Sequence, residues 1–572
     1  MFVRAKRSGK NGKSYEYLQI VRSYREAGKV RQQVVATLGR RDQLAASGEL
    51  DGLLRSLGKF SDNLRVVEAV RTSGLAARTA NQWGPALVFG RLWENQGLPE
   101  LLQSLASERK FEFPVERAAF AMALQRLCAP GSDLSGSGWV KTVEAPGFEN
   151  LALQHFYRTA GFLAEVREDL ESRLFRRDLN LFNQTLDLVF IDTTSLYVYR
   201  DTETEWRKRG YSRDHRPDLP QWVLCVAVNA AGWPIAWEIF PGNTADQEAM
   251  QKIVTALRRR FHLGHVTVVA DRGMISKETI KLLTGDVQAP FDYVLGCRMR
   301  RQKEVSEEVL ARAGRYQTVA DNLEVKEVRV GENRYVVCRN PLEAKKDAAV
   351  REAIVDKLRR TIEKQGPKAV VGNRGYARFL KVAKGSATID EDAVQRDARL
   401  DGKFVLQTNT NLSAVEVAQT YKSLWRVERT FREQKSTLEV RPIYHHRDDT
   451  SIGHIVASFL ALRLEVDLQQ RLDERQVEVS WPDLLRDLGQ VQAVLLDLDG
   501  NRYQLRTDLV GSAHHAFAAA GVRPPAPAGP QRAAPASPQR AAPARPRGVP
   551  ANPAAPSLRR RRSSWRPRRA KS

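Results

Sequence analysis

The spacing of apolar positions changes along the chain, and each change marks a region. In residues 1–80, Ser14–Arg22 and Lys29–Leu38 alternate or cluster Tyr, Val, Ile and Leu around the turn-like E-A-G-K. That pattern predicts strands of a small basic β-containing unit. From Asn81 to Asp178 the period becomes helical, as in L-V-F-G-R-L-W and A-A-F-A-M-A-L-Q-R-L. Pro130, Gly131 and Gly136 interrupt it, so region 81–180 reads as several helices, with Trp93 and Trp139 in packing roles.

Between 181 and 298 the texture turns β-branched. Thr185–Tyr199 reads as a buried strand ending near Asp192, and the next apolar run as a hairpin turning at Asn229–Gly232. Thr244 with Gln247 has the spacing of a capping box opening a helix. V-T-V-V-A-D-R-G is a short strand ending on Asp271, which Gly273 lets the backbone leave sharply. A further helix and the strand F-D-Y-V-L-G-C complete an α/β order, a mixed sheet covered by helices. Residues 299–402 break the rhythm with short strands and one charged helix, and read as a β-rich insertion. The sheet region resumes over 403–473 with K-F-V-L-Q-T-N, a polar helix from Tyr421 and an apolar helix at His454–Val466; a short region, 474–520, follows.

Residues Tyr421–Arg441 contain neither Gly nor Pro and read as one helix. Leu424, Phe431 and Leu438 repeat every seven residues as an apolar stripe. Tyr421, Glu428 and Lys435 form a second row about 60° away. Glu428 thus stands at the edge of a buried face among Arg426, Arg429, Arg432 and Lys435. Two readings stay open: an amphipathic helix whose Glu pairs with a neighbouring Arg, or an acid that binds metal beside a polyanion.

Composition narrows the choice. The chain has 572 residues and a net charge of +24, and its apolar runs are too short to span a membrane. A basic N-terminus with no apolar run behind it carries no expectation of a leader. Cys128, Cys225, Cys297 and Cys338 lie far apart, so buried thiols are expected and a zinc cluster is not. Residues 521–572 hold 12 of the 26 prolines and 13 of the 24 net positive charges, a Pro/Ala/Arg composition expected to be disordered. The rest of the chain keeps +11, which implies a polyanionic partner, nucleic acid being the natural one.

Asp192, Asp271 and Glu428 then acquire matched settings, two on strands of one sheet and one on a later helix. Carboxylates so placed can converge on two Mg²⁺ (or Mn²⁺) ions, oxygen-only ligands suiting these over zinc.

The residues also resemble a family. Tyr421, Glu428 and Lys435 fall on the Tyr, Glu and Lys of the signature Y-x2-R-x3-E-x6-K, while I-D-T-T and A-D-R-G look like its first two acid motifs. P-G-N-T-A-D, Q-T-N-T and R-P-I-Y-H-H are similar to further segments. Over roughly 185–470 the chain thus resembles bacterial insertion-sequence DDE transposases of the Tyr-Arg-Glu-Lys group. Leu424 stands at the signature's Arg position, and Met274 where an aromatic commonly follows D-R-G. The resemblance implies an RNase H-like core interrupted by the insertion, and a cytoplasmic, nucleoid-associated enzyme. It implies Asp192, Asp271 and Glu428 as catalytic metal ligands, and Tyr421 and Lys435 as contacts to double-stranded DNA near the cleaved end. Arg426, Arg429 and Arg432 join them as expected phosphate contacts. Region 81–180 is expected to bind the element's ends and the protein to act as a homodimer on DNA. A metal-dependent nuclease or resolvase without strand transfer, or an inactive DNA-binding relic, are the alternatives.

Overall fold

In a computed structural model of the chain, the β-branched runs assemble into one wide mixed sheet. The structure describes residues 1–10, 13–26, 29–58, 77–182, 187–261, 266–285, 290–370, 377–383, 386–498, 501–526 and 531–532. The expectation of disorder for 521–572 falls almost wholly outside those residues.

At the N-terminus, β1 (Phe2–Lys10), β2 (Lys13–Glu26) and β3 (Lys29–Arg40) form an antiparallel meander of their own, one strand more than the alternation predicts. After β4 (Ala77–Gln82) come helices, beginning at Gly84–Asn95 and including Val115–Cys128 and Leu153–Glu165. The central sheet is built from β5 (Leu188–Tyr197), β6 (Gln221–Asn229), β7 (Pro234–Pro241), β8 (Thr267–Ala270) and β9 (Asp292–Gly296), then β10 (Gln317–Ala320), β11 (Leu323–Val330), β12 (Asn333–Arg339) and β15 (Lys403–Thr408). Their order is β10-β11-β12-β15-β9-β8-β5-β6-β7. Among the described strands of this sheet, only β8 with β5 and β8 with β9 run parallel. The helix Asp246–Phe261 supplies the crossover that parallel pairing requires.

The strand alternation sorts its side chains into two cores. Val189 and Ile191 of β5 face one side, with Ile253 and Leu257 of the crossover helix. Phe190 and Leu196 face the other, with Val427, Phe431 and the long helix Asp448–Glu474. That helix is buried on every side over Ser451–Glu465, because Val115–Cys128 and Leu153–Glu165 also pack on it. At Gly453 the crossing is so close that a Cβ would run into the Ala160 backbone. β4 pairs with β16 (Gln492–Leu498), which pairs in turn with β17 (Asn501–Arg506). Segments flanking the sheet region in sequence therefore close on one another, and the N-terminal helices share the sheet's core.

Four expectations are corrected. β5 does not end near Asp192 but runs on to Tyr197, since Thr193–Leu196 stay buried and Thr193–Tyr197 stay paired with β6. The Thr244–Gln247 capping box does not form: the helix starts at Asp246, and the Gln247 amide donates to the Ile275 carbonyl (2.8 Å). The strands between 299 and 402 are not outside the sheet, because β12 pairs with the whole length of β15, from Arg334–Thr408 to Arg339–Lys403. What leaves the sheet is the helix Pro341–Gln365, the hairpin β13 (Leu380–Ala383) with β14 (Ser386–Ile389), and the helix Glu391–Ala398; Leu358, Phe379 and Ala387 make a small core there. Last, Tyr421–Arg441 is not one helix. Ala414–Lys422 ends at Ser423, Trp425–Arg432 follows, and Glu433–Thr437 widens into a π turn. The apolar stripe survives the break: Leu424, Phe431 and Leu438 are all buried.

Candidate active site

Register alone brings two of the acids together. Ile191 of β5 pairs with Ala270 of β8 in parallel, so the next residues, Asp192 and Asp271, come side by side where β8 stops and β5 continues. Neighbouring strands lie about 4.8 Å apart. The Thr193 amide donates to Asp192 Oδ1 (2.7 Å). Burial pushes the Asp192 carboxyl up to about 7; Asp271 and Asp246 push the same way, against the Thr193 amide and Arg213.

Tyr421 reaches the pair from the end of the helix Ala414–Lys422. Its ring stacks on Phe404 of β15 (5.8 Å between centroids), and its hydroxyl donates to Asp271 Oδ1 (2.7 Å). Burial, and then the charge of Asp271, hold the phenol well above its usual range. Gly296 makes that reach possible. A Cβ on it would stand 2.5 Å from the Tyr421 hydroxyl and 2.9 Å from the Arg272 amide. Gly296→Ala is therefore expected to push Tyr421 off Asp271 and to cost about 1–3 kcal/mol, as overpacking does. In a Tyr421→Phe background, which lacks the clashing hydroxyl, the cost measured by urea unfolding should be distinctly smaller.

Glu428 lies on the helix Trp425–Arg432, which packs on β5 and β6 by burying Val427 and Phe431. Phe190 belongs to that same core, and Asp192, two residues on, shares its face of β5. Glu428 is thus exposed on the face of the sheet where Asp192 points, but no hydrogen bond or ion pair joins it to either aspartate among the described residues.

The predicted phosphate contacts divide. Lys435 is paired with buried Asp214 (2.8 Å), which Arg441 also approaches (3.1 Å). Burial lowers the lysine's affinity for its proton, against the pull of Asp214. Arg426 stacks over the Trp425 ring (5.2 Å); with Arg429 it lines a groove shared by Glu433 and Glu465. Arg432 is exposed. Leu424 is buried at the break between the two helices, filling a core position.

Three residues were missed. Asp246, first residue of its helix, accepts from the Thr193 hydroxyl (2.8 Å) and from Arg213 (2.7 Å). Arg213 and Asp214 come from the long connection between β5 and β6. The one signal for any of them was P-G-N-T-A-D, whose last residue is Asp246.

A second cluster has metal-ligand composition but not the chemistry. Asp133, His445 and His454 offer ligand atoms within 4.8 Å of one another. Arg126 donates to His454 Nδ1 (2.8 Å), and Nε2 donates to the Val440 carbonyl (2.9 Å). Both ring nitrogens are thus engaged, and a guanidinium stands where a cation would have to enter. Burial holds His454 well below its usual range, in keeping with a neutral ring.

Among the described residues, no helix is long and apolar enough to cross a membrane. The family described as "IS1634 family transposase, N-terminal domain" matches residues 3–70, and that described as "Transposase DDE domain" matches 183–464. No curated protein matches the chain. Among solved structures, a piggyBac transposase synaptic complex with hairpin DNA, studied by cryo-EM, is similar at 10% identity with a TM-score of 0.39, covering 71% of this chain and 79% of that one. The two family matches together take in the N-terminal meander, the acid-bearing strands and the helix with Glu428: the chain belongs to the insertion-sequence transposases and is a DDE-type DNA transposase.

Proposed function

We propose that the protein binds the terminal inverted repeats of its element, cleaves the DNA there and joins the ends to target DNA, using Asp192, Asp271 and Glu428. The observation that carries this is the register that sets Asp192 beside Asp271, with Glu428 on the helix over the same face of β5. The strand order β9-β8-β5-β6-β7, with β5–β7 antiparallel and β8 and β9 parallel to β5, supports an RNase H-like core.

The donor set is all carboxylate oxygen, which fits Mg²⁺ or Mn²⁺. Two such ions, when bound, supply activation of the attacking hydroxyl and stabilisation of the leaving oxygen in phosphoryl transfer. The chain's own residues do the rest. Asp192 and Asp271 fix the spacing of the charges, and Tyr421 orients Asp271 through its hydroxyl until DNA arrives. Lys435 and Arg441, held ready by Asp214, supply cations for backbone phosphates, contacts that position the duplex without reading its sequence. Arg426, Arg429 and Arg432 extend the basic surface along the same helix, and region 81–180 is the part that grips the ends. Two ends joined in one event call for two copies of the chain on DNA.

The test is a supercoiled plasmid carrying the element, incubated with the protein and Mg²⁺. Excised element and joined product are expected. Nicking that never yields joined DNA would instead establish a nuclease, and no cleavage by a protein that still binds the ends would establish a relic.

A further inference from the structure

We infer that Asp246 is a positioning residue of the candidate metal centre: it braces the strand that carries Asp192 against the connection before β6, beside the turn that follows Asp271. This rests on the metal-binding reading of Asp192, Asp271 and Glu428 and goes beyond it.

The geometry starts from alternation along β5. Asp192 faces the side covered by the Glu428 helix, so Thr193 faces the opposite side, toward the crossover helix. There the Thr193 hydroxyl donates to Asp246 Oδ1 (2.8 Å). Arg213 Nη2 donates to the same carboxylate oxygen (2.7 Å) and to Thr193 Oγ1 (2.6 Å), closing a triangle. The other carboxylate oxygen, Oδ2, stands over the turn Asp271–Met274: a Cβ on Gly273 would lie 3.0 Å from it. One carboxylate therefore holds the strand bearing the first acid and the connection before β6, while the next residue, Gln247, donates to the Ile275 carbonyl just past the turn after the second acid (2.8 Å).

Its own footing is firm. Asp246 opens a helix whose Met250, Ile253 and Leu257 are buried under the sheet. The helix N-terminus favours a carboxylate there, and Arg213 offsets the charge that a third acid adds beside Asp192 and Asp271. Asp246 sits behind the strand, which is the place of an outer partner rather than of a ligand. Partners bonded directly to a ligand typically change metal affinity about 10–100-fold; Asp246 acts one residue removed, through the Thr193 hydroxyl beside Asp192, and a loss within that range is expected.

Calorimetric titration of the full chain with Mn²⁺, without DNA, tests this, with thermal unfolding alongside to show that each variant folds. Asp246→Asn keeps an acceptor oxygen for Thr193 and Arg213 and is expected to bind Mn²⁺ nearly as the parent does. Asp246→Ala removes the clamp and is expected to bind about 10–100-fold more weakly. Equal loss in both variants would make Asp246 a direct ligand, and no loss in either would make it merely structural; each result overturns the proposal. Should Asp246→Ala not fold, Thr193→Val breaks the strand's link while keeping its shape, and unchanged Mn²⁺ affinity there would overturn it equally. Failure of the underlying reading has its own signature: Mn²⁺ binding by the parent chain that Asp192→Ala leaves untouched.

Discussion

Glu428→Ala is expected to abolish Mg²⁺-dependent cleavage of element ends while leaving the fold in place. The two consequences come from different atoms. The helix Trp425–Arg432 is anchored by Val427 and Phe431, whereas the Glu428 side chain is exposed and has no ion-pair partner among the described residues. Alanine also has the higher helix propensity, so the melting temperature should hold or rise slightly. Loss of a ligand should cut the rate by more than the 10–100-fold that an outer partner costs. Glu433→Ala is the control. Glu433 lies five positions on, in the π turn, where its carboxylate accepts from the Thr437 hydroxyl (2.5 Å) and faces Glu465 in the groove lined by Arg429. Nicking of supercoiled plasmid by both variants decides between them. Cleavage that survives Glu428→Ala but not Glu433→Ala would move the third ligand to the π turn.

That control matters because the break in the helix was not legible in the sequence. Tyr421–Arg441 has no Gly or Pro, and each of its residues tolerates a helix. What interrupts it is tertiary. Tyr421 must point at Asp271 beside Gly296, while Val427 and Phe431 must pack on β5, and one straight helix does not serve both. The heptad stripe came through because burial follows apolar spacing even where helical geometry bends. The strand acids were legible for a local reason: β-branched runs interrupted by one Asp mark a strand whose acid needs an explanation. Their adjacency was not, since parallel register depends on the crossover helix rather than on either strand. Asp214 with Lys435 and Asp246 with Arg213 are pairs across long stretches of chain, invisible to any periodicity. The strands β10–β12 looked like a separate insertion because each is short; pairing of β12 with β15 across a helical excursion is a long-range event that local pattern does not encode.

The same long-range logic governs stability, and Asp178→Ala is expected to be the most damaging single change outside the site. Arg463 sits fully buried on the helix Asp448–Glu474 and donates to both carboxylate oxygens of Asp178, each at 2.9 Å. Its Nε also donates to Gln96 (3.2 Å), and its guanidinium lies over the Trp233 ring (4.6 Å). The Trp233 indole donates to Asp178 in turn (2.9 Å). Three parts meet here: the N-terminal helices, the β6–β7 hairpin and the long central helix. Removing the carboxylate strands a buried guanidinium, which costs about 3–5 kcal/mol. Urea unfolding should show that loss, and limited proteolysis should find the N-terminal helices cut sooner than in the parent. The paired change Asp178→Leu with Arg463→Met removes both charges and should recover most of the stability, because an apolar pair of similar size replaces an ion pair at little net cost. If the double change is as unstable as Asp178→Ala, then the link to Gln96 and Trp233, rather than relief of an unpaired charge, is what holds the N-terminal helices to the sheet.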